Sequence, residues 1–451
     1  MHRTPEGARG FLIAIGLLGG AVLIAALGGV LAFGALQGAF PRSLDNAYPG
    51  YLLLLFSVLF LAPLLILAAR LFPFITDWYY LLPAIVFLLA FTVYPIFLTI
   101  YFGFTDYTGI KSGKADRSTE TQIVRLEGTR LVLASDAAAA LRCEAQNCAG
   151  ERLEVTSETE RATVRVVSSS GPEVELESAP PFTPKFVYRI NTFKYIGFKN
   201  YMGIFASASS ILWPVFLWNV IFAIFAVLVG ALPGLVLGLL LNNKDLKFRG
   251  FYRTALIISW AMPAVISAQI WQAMLNVQFG PINRFLGLLG SYPIPWLIDQ
   301  EWAKVAILLV SMWLGVPYWM TATLGALSTI PDDVYEAAKI DGASPRQMLL
   351  SITLPLLRQP FTPLILGSLA FNFNNFGLIY LLTGGGPAAA GRPSTAQATD
   401  ILISWAYKTA FQWDGGQAYG LGGAISVIIF FITVFISLIN FRVTGAFREV
   451  R

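Results

Sequence analysis

The chain contains eight stretches, each about twenty to thirty residues long, without a single Lys, Arg, Asp or Glu: residues 10–41, 51–69, 79–101, 213–241, 254–273, 305–327, 361–382 and 419–441. A helix of about 20 apolar residues crosses a hydrocarbon layer about 30 Å thick. A backbone in lipid must satisfy its own hydrogen bonds, and uncharged runs this long do so as helices. The predicted class is therefore an all-α polytopic membrane protein with eight transmembrane helices. Arg3 and Arg9 precede the first run, which is too long for a signal-peptide core and reads as a retained span.

Residues 104–210 break this pattern and hold half of the acidic residues of the chain. Short alternating runs recur there, as in Gln122-Ile123-Val124-Arg125-Leu126, Ala162-Thr163-Val164-Arg165-Val166 and Glu173-Val174-Glu175-Leu176-Glu177. Period-two alternation between Gly, Ser and Pro clusters predicts strands, and hence a small β-rich insertion between the third and fourth helices. The expected organisation is three N-terminal helices over 1–103, the insertion over 104–210, a five-helix core over 211–441 and a tail over 442–451.

Basic residues orient these parts. Arg3, Arg9, Arg70, Lys244, Lys247, Arg249, Arg253, Lys339, Arg346, Arg358, Arg442, Arg448 and Arg451 fall on one side of the eight-span layout. The positive-inside rule places both termini in the cytoplasm and the insertion outside. Cys143 and Cys148 lie in that insertion, where a disulfide is plausible and two free thiols are the alternative. Their neighbourhood offers too few ligands for a metal.

The polar segment after the sixth run is organised differently. Asp332 and Asp333 open a short helix at its electropositive end, Gly342 fits a C-terminal cap, and Ser344-Pro345 reads as the N-cap and first residue of a second helix. Ala337 and Ala338 keep one face small, so another surface can approach. Such a helix-turn-helix between spans reads as a device displayed to a partner.

The chemistry available is narrow. His2 is the only histidine, which argues against a histidine-based metal or catalytic site. No Gly-x-x-x-x-Gly-Lys-Ser/Thr loop occurs, so ATP hydrolysis is not expected of this chain. The net charge of +5 is scattered between spans and is no nucleic-acid footprint. Charge-free spans also weigh against an ion-coupled transporter. Amide and aromatic groups instead concentrate at Ser368, Phe371, Asn372 and Asn375, spaced i, i+3, i+4 and i+7 on one helical face. Amides donate to and accept from hydroxyls, and a ring can cover the apolar face of a sugar. Solute binding and polar glue between helices both explain such a face. Asn374 projects elsewhere and is expected to bond a neighbouring helix. In the sixth run, Pro317 is expected to break or kink Trp313-Leu314-Gly315-Val316-Pro317-Tyr318. Gly384-Gly385-Gly386-Pro387 reads as the start of a flexible external loop, and Asp414-Gly415-Gly416 as a turn.

Glu336-Ala337-Ala338, then Gly342, then Ile352-Thr353-Leu354-Pro355 resembles the EAA signature of ABC importer permeases. The run 370–387, AFNFNNFGLIYLLTGGGP, with WLGVPY at 313–318 and an insertion after the third span, is similar to the MalF-type permease family. The resemblance implies the type I ABC importer permease fold in a bacterial cytoplasmic (inner) membrane. It implies a coupling helix over 332–345, with Glu336, Ala337, Ala338, Asp341 and Gly342 seated in a separate ATPase. It also implies a sugar cavity formed by Leu314, Gly315, Tyr318, Ser368, Phe371, Asn372 and Asn375. No cofactor is expected on this chain, because ATP is used by the partner. Expected partners are a MalG-like permease, a MalK-like ATPase dimer, a MalE-like binding protein, maltose or maltodextrin, and membrane lipid. The insertion is shorter than the large external domain of well-known members. Rival readings are the same machine for another neutral sugar such as trehalose, and a membrane scaffold or sensor that docks an ATPase without translocating.

Overall fold

A computed structural model describes residues 8–39, 49–72, 81–143, 148–158, 160–412 and 417–444. The chain divides into two compact units, Met1–Leu98 and Thr99–Arg451. In the first, helix α1 (Ala8–Ala39) packs on α2 (Pro49–Leu71). A Cβ at Gly28 would meet the Phe60 ring at 3.1 Å, so the two helices approach closely there. A third helix, α3 (Pro83–Gly103), includes one π-helical turn at Leu89–Val93.

The insertion is a closed six-stranded antiparallel barrel. Strands β1 (Ala115–Glu127), β2 (Arg130–Leu133), β3 (Arg152–Thr156), β4 (Arg161–Ser170), β5 (Glu173–Leu176) and β6 (Phe186–Ile190) pair in the order β1-β2-β5-β4-β3-β6, and β6 returns to β1. Alternate residues fill its core: Leu131 and Leu133, Leu153 and Val155, Val164 and Val166, Val174 and Leu176. Closure leaves no strand edge for another chain to pair with. Cys143 and Cys148 form a disulfide with an S–S length of 2.06 Å beside this core. At the stem, Thr105 bridges Tyr195 and Asp106 accepts bonds from Lys111 and the Lys194 amide. Burial would push the Asp106 carboxyl up, but these bonds outweigh it and hold the group below its usual range.

Five described helices are long and apolar enough to cross a membrane: Pro83–Gly103, Ala208–Asn242, Gln300–Leu327, Pro345–Phe373 and Tyr419–Ile439. We label α4 (Ala208–Asn242), α5 (Arg249–Ala261), α6 (Ala264–Met274), α7 (Gln300–Leu327), α8 (Asp332–Ile340), α9 (Pro345–Phe373), α10 (Phe376–Thr383), α11 (Leu402–Phe411) and α12 (Tyr419–Thr444). The central pair is α4 against α7. Gly230, Gly234 and Gly238, four residues apart, form a stripe under Val316, Trp319, Met320 and Thr323. Small residues at this spacing let helix backbones approach, which is the main route to tight packing where lipid is as apolar as the side chains.

Three expectations change. The run 254–273 is two helices, α5 and α6, because Met262 is extended (φ −74°, ψ 137°) before Pro263. Pro317 does not break α7, which is helical from Gln300 through Leu327. The turns flanking it press on the glycine stripe, which holds the helix across the missing N–H bond. The run 361–382 starts earlier, at Pro345, and breaks at Asn374-Asn375 into α9 and α10. The predicted turn at Asp414-Gly415-Gly416 lies outside the described residues.

Candidate functional site

The break between α9 and α10 arises from amide chemistry. Asn374 leaves the helix (φ −111°, ψ 21°), and its Nδ2 donates to the Ala370 carbonyl at 3.2 Å and to Thr433 Oγ1 of α12 at 3.3 Å. Asn375 is the N-cap of α10, its Oδ1 accepting from the Leu378 N–H at 3.3 Å. Asn side chains compete for backbone groups in this way and so favour helix ends over interiors. Asn372 Nδ2 donates to the Ser368 carbonyl at 2.9 Å, and its Oδ1 faces Asn375 Nδ2 at 3.4 Å. Each amide keeps hydrogen-bonding capacity beyond these contacts.

These residues open on a cavity of about 730 Å³, a volume usual for ligand sites. All seven residues expected at a solute site line it: Leu314, Gly315 and Tyr318 from α7, Ser368, Phe371 and Asn372 from α9, and Asn375 at the break. Gly315 lies against Gly230 of α4, so the wall at that point is backbone. The Phe371 ring is 69% exposed. No Lys, Arg, Asp or Glu contributes to the lining. By contrast, a cavity of about 590 Å³ at the foot of the barrel is lined by Lys111, Lys114, Arg117, Arg142, Arg189 and Lys194 among others.

Sequence reasoning missed part of the lining. Pro363, Leu364 and Gly367 extend the α9 stripe one turn back at the same spacing, a signal present in the sequence. Trp260 and Met262 join from the α5–α6 break, and no periodicity announces them.

The expected coupling segment forms as two helices. Helix α8 ends in a Schellman turn: the Gly342 N–H reaches the Lys339 carbonyl at 3.1 Å, the Ala343 N–H reaches that of Ala338 at 2.9 Å, and Gly342 takes φ +79°. Ser344 and Gln347 form a capping box that starts α9. Glu336, Ala337, Asp341 and Gly342 are exposed, and Ala338 is half-buried. Tyr335 Oη bonds Thr353 Oγ1 at 3.0 Å, and Lys244 reaches Asp332 at 2.9 Å. The hydrogen bond from Lys244 holds the Asp332 carboxyl below its usual range. From this cap α9 runs 29 residues to the cavity, interrupted only by a π-helical turn at Leu349–Thr353. At 1.5 Å per residue it spans about 43 Å.

The Gly-rich turn after α10 is pinned, contrary to its reading as a flexible loop. Lys408 Nζ reaches Asp400 Oδ2 at 2.6 Å and the Gly384 carbonyl at 3.1 Å. Asp400 also accepts from Ser404 Oγ at 2.7 Å and the Gln397 N–H at 2.6 Å. Gly385 (φ +84°) sits directly on this carboxylate, leaving no room for a Cβ. Both charged side chains are buried, 5% and 0% exposed. Removing one partner of such a pair strands a charge, so Lys408→Met should cost about 3–5 kcal/mol. Asp400→Asn combined with Lys408→Met should recover part of that loss. Thermal unfolding in detergent checks this: a single variant as stable as wild type contradicts it.

Residues 230–445 match the family described as binding-protein-dependent transport system inner membrane component. The maltose/maltodextrin transport system permease protein MalF of Salmonella typhimurium is 41% identical over 251 residues, 55% of this chain and 49% of that one. The galactooligosaccharides transport system permease protein GanP of Bacillus subtilis is 40% identical over 258 residues, 56% of this chain and 60% of that one. A solved bacterial ABC transporter involved in the import of the acidic polysaccharide alginate covers 55% of this chain and 85% of its own, at 23% identity and a TM-score of 0.48. The chain thus spans about half the length of the curated relatives it matches. Over residues 230–445 the chain is similar to binding-protein-dependent transport system inner membrane components, the MalF and GanP permeases among them.

Proposed function

We propose that this chain is the membrane permease subunit of an ATP-driven importer that carries maltose or maltodextrins by alternating access. The observation that carries the reading is that one uncharged cavity is lined by Leu314, Gly315, Tyr318, Ser368, Phe371, Asn372 and Asn375 together. An uncharged wall with amides, hydroxyls and rings suits a neutral sugar, whose hydroxyls need paired donors and acceptors when they leave water. The type I ABC importer permease would have eight spans in the inner membrane, both termini in the cytoplasm and the barrel outside. It would work with a MalG-like permease, a MalK-like ATPase pair and a MalE-like binding protein. The chain itself would not be an enzyme.

In this mechanism ATP-driven closure of the ATPases moves α8, whose exposed face (Glu336, Ala337, Asp341, Gly342) would sit in them. Because α9 runs from the cap beside α8 to Phe373, that movement reaches the cavity along one element. Asn372 and Asn375 lie at its far end, where a shift changes which side of the membrane the sugar meets.

Glu336→Lys reverses the charge on the displayed face and should reduce uptake into proteoliposomes of the assembled transporter at least tenfold, while sugar binding persists. Normal uptake would refute the coupling role. A second reading, another neutral oligosaccharide, draws on the similarity to a galactooligosaccharide permease. Uptake compared across maltodextrins, galactooligosaccharides and trehalose separates the two.

A further inference from the structure

Asn219 lies in α4, six residues into Trp213–Asn242, and is wholly buried in an otherwise apolar stretch. Its Nδ2 donates to the Phe373 carbonyl at 2.9 Å, and its Oδ1 accepts from the Leu402 N–H at 2.9 Å. Both backbone groups lack a helical partner. Phe373 ends α9 at the break, so its carbonyl has no N–H one turn on, and Leu402 opens α11, where the first N–H groups of a helix are orphaned. Only a side chain that donates and accepts at once can serve both, and an amide does so from one planar group. An apolar residue here would leave two buried backbone groups unpaired.

The other end of α10 is held in a similar way. Gln272 Nε2 of α6 donates to the Leu381 and Leu382 carbonyls at 3.0 and 2.8 Å. An amide of α4 thus holds the end of α9 just before the break, and an amide of α6 holds the last turn of α10 beyond it.

We propose that Asn219 is a positioning residue that fixes the break at Asn374-Asn375 and so the orientation in which Asn372 and Asn375 face the cavity. It touches no ligand and acts through the Phe373 carbonyl. Its effect on transport rests on the reading of the cavity as a sugar site; its effect on the break does not.

The test uses the full chain in the assembled transporter, in lipid nanodiscs. Asn219→Leu should raise amide hydrogen exchange at 374–383 and 401–404 about tenfold or more, while β1 to β6 keep wild-type protection. In proteoliposomes the same variant should raise the KM for maltodextrin about tenfold and change the maximal rate less than about threefold. Asn219→Ser, whose hydroxyl can still serve one partner, should show the same local pattern at smaller amplitude, and it decides the matter if the Leu variant does not fold. Wild-type exchange at 374–383 in the Ser variant overturns the proposal, as does a loss of protection spread evenly over the chain. Raised local exchange with no maltodextrin uptake by the wild type would sustain Asn219 and sink the sugar reading.

Discussion

Replacing Phe371 and Asn372 together by Ala should lower maltodextrin uptake by about two to three orders of magnitude at limiting sugar while the complex still assembles. Covering an apolar sugar face with a ring is worth about 2–3 kcal/mol, and a neutral hydrogen bond adds about 1 kcal/mol. At 1.4 kcal/mol per tenfold, the sum reaches that range. Assembly should survive because neither side chain holds the fold. Phe371 is 69% exposed, and among the described residues the Asn372 side chain bonds the Ser368 carbonyl and the neighbouring Asn375. The informative comparison is Asn374→Ala, two residues beyond Asn372, which is not among the cavity-lining residues and loses a bond to α12, so it should cost stability and lower uptake less than the double variant does. Uptake of the double variant within threefold of wild type would remove the cavity from the transport path.

Gly234→Val should prevent accumulation of folded protein. A Cβ there overlaps Trp319 Cβ and comes within 2.9 Å of the Met320 nitrogen and the Val316 oxygen. Two of these atoms are backbone of a buried helix, so they cannot rotate away as a flexible side chain would. Overpacking typically costs about 1–3 kcal/mol, and here the whole α4–α7 contact must separate to relieve it. The same separation would carry Gly315 away from Gly230 and distort the cavity wall. Gly325→Ala is the matched control: it lies on α7, nothing stands within 4 Å of its Cβ position, and Ala favours helix. Membrane yield and thermal unfolding in detergent measure both. Equal yields for the two variants would show that the stripe does not set the packing.

Legibility in the sequence followed the physical range of each signal. Long uncharged runs and period-two strands depend on local burial, so helices and barrel strands could both be read directly. The solute face was legible because Ser368, Phe371 and Asn372 share one side of a helix. Its end was misread, since Asn375 reaches the same cavity from the cap of a new helix. The break itself depends on partners distant in sequence: Asn219 takes the Phe373 carbonyl and Thr433 takes Asn374. Pro317 does not interrupt its helix, because close packing on Gly230 and Gly234 holds a turn that proline alone would weaken. The pinned Gly384-Gly385-Gly386 turn looks flexible by composition. Only the fold places Asp400 and Lys408 beneath it.

If the proposed function is right, neutral sugar sits where α9 breaks. Cryo-electron microscopy of the assembled transporter with maltose, trapped with the sugar inside the membrane, tests this most directly. Sugar density is expected between Tyr318, Phe371, Asn372 and Asn375, with a ring stacked on Phe371. Density elsewhere with this cavity empty, for example among Lys111, Arg117 and Arg142 at the foot of the barrel, would contradict it.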